Sequence, residues 1–265
     1  MKTISLSSIN IEYGNRNRHK IKEKSDLIAK YEPDIIFLQE CDKHLIDFSK
    51  KYNYVDYSTF NDEMIEIYSK KSSNWKINSI YQFESLLSYT KRPCKCIELV
   101  NDGNLIKLAN IHLCGGRYDE NDNIGKMLIG NLKEIRARKN EVIKRLIDEF
   151  KVDIIAGDFN SDLNCYLNNQ LNENHLSYFQ KVAPKKNTLT YLEWNVCPYR
   201  LLNDNFFKLA YNKDFNYKYT SVYNTHPDSV WYRSSLLIQK KYNYIDLISK
   251  DYSDHNGIYV EFTMS

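Results

Sequence analysis

Two stretches of this chain are apolar at nearly every position, and each stops at a carboxylate. Asp34-Ile35-Ile36-Phe37-Leu38 runs into Gln39-Glu40, and Val152-Asp153-Ile154-Ile155-Ala156 runs into Gly157-Asp158-Phe159-Asn160. A short continuous apolar run predicts a strand covered on both faces. Residues 3–9 alternate instead, with Ile4 and Leu6 on one face, and that strand ends at Asn10. A helix is predicted over 19–30, striped by Ile21, Leu27 and Ile28 and barred from continuing by Pro33. The longest predicted helix spans 126–150, where Leu128, Leu132, Ile135, Val142, Leu146 and Phe150 form one stripe. Arg136, Arg138, Lys139 and Lys144 are expected mostly on its solvated side.

Further strands are predicted near 64–69, 93–100, 105–113, 227–233, 242–248 and 256–263. Ile111-His112-Leu113 closes one of them just before Gly115-Gly116, a loop signal. Residues 161–215 are rich in Asn and aromatics, contain Pro184 and Pro198, and show little periodicity. They predict a long decorated connection of the kind that often carries function. No repeat or linker divides the chain, so residues 1–265 are expected to form one domain.

Composition narrows the picture. The 265 residues are 42% hydrophobic and 27% charged, with a net charge of +3. That balance is far from the strong basicity of a dedicated nucleic-acid binder, and it favours an enzyme that meets an anion at a local site. The six cysteines include no C-x-x-C pair, and Cys94-Lys95-Cys96 lacks zinc spacing, so reduced intracellular thiols are expected. Strand-like alternation from the first residues leaves no room for a signal peptide, and no apolar run approaches the ~18 residues of a membrane span. The expectation is a soluble protein in the cytoplasm or nucleus, with no integral membrane association and no obligate protein partner.

The chemistry lies at the strand ends. A phosphodiester is shielded by its own charge, so its hydrolysis calls for a cation, an oriented water and a donor for the transition state. Mg²⁺ is a hard ion that keeps several waters and needs only one or two carboxylates. Alone, Glu40 reads more readily as the first residue of a helix, and Asp158 with Asn160 as an Asx turn. Asp254-His255 alone reads as a turn and a surface histidine, His112 as a half-buried histidine, and Asp228 as the start of a strand. Their joint occurrence, in this order, outweighs each of those separate readings.

The ordered set Ser8-Ile9-Asn10-Ile11, Leu38-Gln39-Glu40, Ile111-His112-Leu113, Gly157-Asp158-Phe159-Asn160, Asp228 before Val230-Trp231, and Ser253-Asp254-His255 resembles the endonuclease/exonuclease/phosphatase superfamily. That group includes DNase I-like nucleases, abasic-site endonucleases, tyrosyl-DNA phosphodiesterases, deadenylases, inositol-polyphosphate 5-phosphatases and neutral sphingomyelinases. The resemblance implies an α/β four-layer sandwich, with two mixed β-sheets packed face to face and helices outside. It implies Glu40 as the principal Mg²⁺ ligand (Mn²⁺ substituting), with Asn10 and Asp254 near the metal. Asp158 would orient or deprotonate water with Asn160 beside it, His255 would meet the phosphoryl oxygen, Asp228 would fix His255, and His112 would touch the scissile phosphate. Arg117 and Tyr118 are candidates for substrate contact. Two departures stand out: Asn10 is followed by Ile11-Glu12-Tyr13, and no family tyrosine can be placed firmly.

The expected activity is a Mg²⁺-dependent phosphodiesterase or nuclease, with DNA or RNA as the first substrate class. A phosphoinositide phosphatase or sphingomyelinase is the alternative, and a silent binding protein of the same fold is a third reading. Local positive charge at Arg117, Lys185-Lys186, Arg233 and Lys240-Lys241 favours nucleic acid. The aromatics of 161–215 (Tyr166, Tyr178, Phe179, Tyr191, Trp194, Tyr199, Phe206) offer stacking surfaces, but packing beneath the segment is the commoner fate of such residues.

Overall fold

The computed structural model describes residues 2–12, 17, 19–41, 47–60, 63–83, 94–113, 124–171, 173, 188–212, 219–222 and 224–265, with residues 57–60, 63–64, 82–83, 124–134 and 188–191 described by their backbone alone. The chain opens with β1 (Thr3–Asn10), α1 (Ile21–Ile28) and β2 (Ile35–Gln39), in which β1 and β2 run parallel. Then come β3 (Tyr52–Phe60), β4 (Glu63–Lys70), β5 (Lys76–Phe83) and β6 (Cys94–Asn101). A second parallel unit follows: β7 (Asn104–His112), α2 (Ile124–Asp148) and β8 (Ile154–Asp158). The remainder holds α3 (Leu163–Asn168), α4 (Thr188–Asp204), β9 (Phe207–Leu209), β10 (Asp228–Arg233), β11 (Leu237–Ile245) and β12 (Gly257–Met264).

These strands form two mixed sheets, in the orders β11-β12-β1-β2-β4-β3 and β5-β6-β7-β8-β10-β9. Every other residue of the inner strands points between the sheets. Ile4, Leu6, Ile35, Phe37 and Val260 from the first sheet meet Leu99, Leu108, Ile154, Ala156 and Val230 from the second. Full burial of each of these side chains larger than alanine contributes about 1.5–3 kcal/mol. The outer face of the first sheet packs Ile9, Ile36 and Leu38 against Ile28 of α1. The outer face of the second packs Ile111, Ile155 and Trp231 against α2 and α4 through Ile143, Leu146, Tyr199 and Leu202. The result is the four-layer α/β sandwich the resemblance implies. The five described cysteines are free and buried, and among the described residues no helix is long and apolar enough to cross a membrane.

The predicted elements at β1, α1, β2, β4, β6, β7, α2, β8, β10 and β12 are present, with ends shifted by a few residues. The strand expected at 242–248 instead runs Leu237–Ile245, because a bulge between Gln239 and Lys241 interrupts the alternation. Strands β3 and β5 were hidden from the pattern for the same reason. Each lies at a sheet edge and carries a bulge, after Tyr54 and after Ile77. The segment 161–215 is not simply a connection: it contains α3, α4 and β9. Helix α4 holds Pro198 in its interior, and that proline masked a helix whose Trp194, Val196, Tyr199 and Leu202 are buried.

Helix α2 brings a second correction. Arg136 and Lys144 are exposed as expected, but Arg138 and Lys139 are buried. The helix packs against α4 as well as the sheet, so its polar side has a neighbour too. Of the loop aromatics, Tyr199 and Trp194 are buried, Tyr166 packs on Tyr199 and Trp231, and Phe206 is exposed. Tyr178 and Phe179 lie outside the described residues, as does the side chain of Tyr191.

Gly157 sits where the second sheet is tightest. Its φ is +146°, and a Cβ there would lie 1.9 Å from the Ile111 carbonyl oxygen. Gly103, in the turn between β6 and β7, has φ +81° but open space around it. Gly157→Ala should therefore cost about 3 kcal/mol or more, combining overpacking and strain, and Gly103→Ala about 1 kcal/mol. Urea unfolding midpoints of the two variants check this. Equal losses would contradict the close approach at Ile111.

Candidate functional site

Along each inner strand the residues facing between the sheets turn polar at the same end. In β1, Ile4 and Leu6 give way to Ser8 and Asn10; in β2, Ile35 and Phe37 give way to Gln39. In β7, Ile106 and Leu108 give way to Asn110 and His112, and in β8, Ile154 and Ala156 give way to Asp158. All of these polar residues are buried, as is Asp228 at the start of β10. Buried polar groups are tolerated only when hydrogen-bonded, and their bonds here run from one sheet to the other. Gln39 Nε2 donates to Asn110 Oδ1 at 2.7 Å, and Asn110 Nδ2 donates to the carbonyls of Leu38 and Glu66 at 3.1 Å each. This amide bridge is the floor of the site.

Above the floor, Asn10 Nδ2 donates to Asp158 Oδ2 at 3.0 Å, while Asn10 Oδ1 accepts from the Glu12 amide at 3.0 Å. Asp158 Oδ1 accepts from the Asn160 amide at 2.6 Å, and Asn160 Nδ2 donates to the Leu113 carbonyl at 2.9 Å. His112 Nε2 lies 3.3 Å from Glu40 Oε1 and 3.6 Å from Asp158 Oδ2. The backbones of Glu40 and Asn160 are left-handed, with φ of 47° and 46°. Each turn redirects the chain just past a parallel strand, a strain of the kind that functional sites retain.

The second half of the site is a histidine–carboxylate pair. His255 Nδ1 lies 2.8 Å from Asp228 Oδ2, so Nε2 is the ring atom turned toward the site. Ser253 Oγ donates to the Asn10 carbonyl at 2.8 Å and accepts from the His255 amide at 3.0 Å, fixing the loop before β12. The segment at 220–222 straps this loop, through Val222 N–H to the Asp254 carbonyl and Asn256 N–H to the Thr220 carbonyl. Burial opposes the His255 imidazolium, yet Asp228, then Asp158 and Asp254, overcome it and raise the ring to about 10. Burial pushes the Asp228 carboxyl up to about 6, although His255 pulls it down. The stable state at neutral pH is thus an imidazolium held by a carboxylate. The stability that the raised His255 ring contributes is lost as pH climbs toward about 10, and the pair itself is lost on the acid side as Asp228 takes up a proton below about 6. His226 is unlike it: burial drives that ring down to about 4, and its Nε2 pairs with the Tyr244 hydroxyl at 2.9 Å.

The structure therefore gathers Asn10, Glu40, His112, Asp158, Asn160, Asp228 and His255 at one edge. Asp254 stands on the His255 side, its Oδ1 3.8 Å from His255 Nε2. Arg117 and Tyr118 lie outside the described residues, as do Lys185 and Lys186. Arg233 ends β10 far from Asp228, donating to the Val152 carbonyl and lying over Phe207, while Lys240 and Lys241 sit mid-strand in β11. These three are not at the site. Sequence reasoning passed over Asn110, legible only as a polar residue at an inward strand position, and Thr220, whose hydroxyl accepts from the Asp228 amide at 3.3 Å.

The donor set suits a hard divalent cation. Oxygens of Glu40 and Asp158 and a nitrogen of His112 lie within 4.8 Å of one another, and a second such cluster joins Asp158, Asp228 and His255. Two carboxylates facing one small space need a cation or a protonated ring between them. The second cluster is already internally paired, with His255 Nδ1 2.8 Å from Asp228 Oδ2.

No family model matches the chain, and no curated protein matches it by sequence. Solved structures do match. A protein of the endonuclease/exonuclease/phosphatase family from Bacteroides vulgatus superposes with a TM-score of 0.64 at 12% identity, covering 100% of both chains. This chain has the endonuclease/exonuclease/phosphatase fold. The D. rerio TDP2 complexed with single-strand DNA product superposes with a TM-score of 0.57 at 16% identity, covering 99% of this chain and 100% of that one. The mannosyl-6-phosphatase Bt3783 of Bacteroides thetaiotaomicron gives 0.60 at 18% identity, covering 98% and 99%.

The pairing of Asp228 with His255 can be read directly. Asp228→Asn removes the carboxylate that most raises the ring, so the His255 titration should fall from about 10 toward about 6.5. Histidine ring resonances followed by NMR against pH measure it. A titration unmoved by the substitution would mean that Asp228 is not the cause.

Proposed function

We propose that this protein is a divalent-metal-dependent phosphoesterase, with Mg²⁺ as its ion and a phosphodiester of DNA or RNA as its first substrate class. The observation that carries the reading is the facing of the Glu40–His112–Asp158 cluster by an imidazolium on Asp228. One half offers oxygens for a cation and an acceptor for a proton, and the other offers a cationic donor.

Glu40 and, beside it, Asp158 would hold the cation, which when bound offsets the negative charge of the phosphate oxygens. Asp158 is oriented for proton acceptance. Asn10 and the Asn160 amide each take one of its oxygens, leaving the remaining lone pairs directed by those bonds. A water there attacks phosphorus as its proton passes to Asp158; the ester P–O bond breaks, and the leaving oxygen departs with a proton from solvent or a neighbouring acid. His255 Nε2 donates to the phosphoryl oxygen as charge grows, and Asp228 keeps that donor charged and aimed. His112, between Glu40 and Asp158, supports the carboxylates and meets the phosphate from the same side.

Nucleic acid is favoured by the structural neighbour TDP2, which holds a single-strand DNA product. The likeness to a mannosyl-6-phosphatase makes a small phosphomonoester the competing outcome.

The test uses labelled single- and double-stranded oligonucleotides with Mg²⁺, beside a sugar phosphate. Cleavage should be abolished by EDTA, restored by Mg²⁺ or Mn²⁺, and reduced by ~10²–10³ or more in His255→Ala and Asp158→Asn, with both variants folded. EDTA-resistant turnover would remove the metal. Hydrolysis of the sugar phosphate alone would replace the nucleic-acid substrate with a monoester.

A further inference from the structure

Lys139 is a buried cation directly behind the catalytic turn. It sits in the second half of α2 with a relative exposure of 0%. Its Nζ lies 2.5 Å from the carbonyl oxygen of Asn160, 2.8 Å from Ser161 Oγ and 4.3 Å from the centre of the Trp194 ring. Taking an ammonium out of water is costly, so a buried lysine marks a place where its donors fix something. What it touches is the turn that carries Asp158 and Asn160.

Asn160 is held on three sides. Its amide donates to Asp158 Oδ1, its side chain donates to the Leu113 carbonyl, and its own carbonyl accepts from Lys139. Its φ of 46° is a conformation that asparagine tolerates but does not prefer in an unconstrained chain. Neither of the first two bonds reaches the carbonyl of the peptide linking Asn160 to Ser161. Lys139 takes that carbonyl, and the Tyr199 hydroxyl donates to the next one, of Ser161, at 2.6 Å. The indole of Trp194, lying over the ammonium, favours keeping the charge at that spot.

We propose that Lys139 is a positioning residue for catalysis. By anchoring the Asn160 carbonyl it holds the left-handed turn, and through the Asn160 amide it sets the orientation of the Asp158 carboxylate. This rests on the proposed hydrolytic role of Asp158, and the inference is that the outer helix layer reaches through the second sheet's loop to aim the proton acceptor. A lysine serving stability alone would alter folding without changing that orientation.

The experiment compares wild type, Lys139→Met, Asn160→Ala and the double variant, using an activated phosphodiester with Mg²⁺ and amide NMR. Lys139→Met should lower kcat roughly 10–100-fold with KM changed less than about twofold, the scale expected for a small misplacement of a catalytic group. Asn160→Ala removes only the side-chain bond to the Leu113 carbonyl, and because both substitutions loosen one turn their combined effect should depart from the product of the two single effects. The Asn160 amide, bonded at 2.6 Å to Asp158, should shift upfield and exchange faster in Lys139→Met. Fully additive effects, or an Asn160 amide that does not move, would overturn the proposal. If Lys139→Met does not fold, Lys139→Gln shortens the donor arm without leaving an apolar end and is read in the same way. A wild type inactive on every phosphate ester would sink the hydrolytic reading, while the amide shift still decides whether Lys139 sets the turn.

Discussion

Polar contacts between the two sheets, at one end only, are the constraint on which the rest of this molecule depends. Asn10 to Asp158, Glu40 to His112, Gln39 to Asn110 and His255 to Asp228 each join a residue of the first sheet or its loops to one of the second. A parallel strand pair delivers two carboxyl-terminal ends to the same edge, and each sheet contains one such pair. Facing the sheets brings four strand ends together over a dry apolar core. A polar group at that edge finds partners in its own loop or in the opposite sheet, because the apolar tier beneath offers none. Charge that the two sheets satisfy jointly therefore holds them together at the edge where the proposed site lies.

How much of this was readable in the sequence depends on where a residue sits in that arrangement. The central strands were legible because burial on both faces leaves an uninterrupted apolar run, as in Ile35–Leu38 and Ile154–Ala156. The edge strands β3, β5 and the first half of β11 were not, since a bulge shifts the alternation and one side is wet. The site's charged members were legible as a set of residues that close strands, and the structure places Asn10, Glu40, His112, Asp158, Asn160, Asp228 and His255 together. What the pattern cannot carry is the partner. His226 and His255 both lie just before strands, yet burial leaves the first neutral while Asp228 charges the second. Nothing local in the sequence separates them, because the deciding carboxylate arrives from a strand 27 residues away.

Lys139 illustrates the same point at the level of a helix. A stripe drawn with a period of 3.6 assigns Arg138 and Lys139 to solvent, which holds only if one face of α2 is covered. Helix α4 covers the other, and its own interior proline hid it from the pattern. One missed helix thus turned a buried cation into an apparent surface lysine. A lysine that the packing excludes from water must be accounted for by what its ammonium holds.

Amides and ions divide the labour at the polar edge. The Gln39–Asn110 bridge is neutral, so each of its bonds nets only about 0.5–1.5 kcal/mol, but orphaning either partner costs about 1–3 kcal/mol and would loosen the floor. The ionised groups above it have the opposite character. Burial, with repulsion from Asp158 added, keeps the Asp228 carboxyl high, while Asp228 in turn keeps the His255 ring charged. A chain selected for stability alone would replace these ions with apolar residues of similar size. Retaining them above a neutral floor concentrates an unfavourable electrostatic state at one edge, and that is what the proposed function asks of a preorganised site.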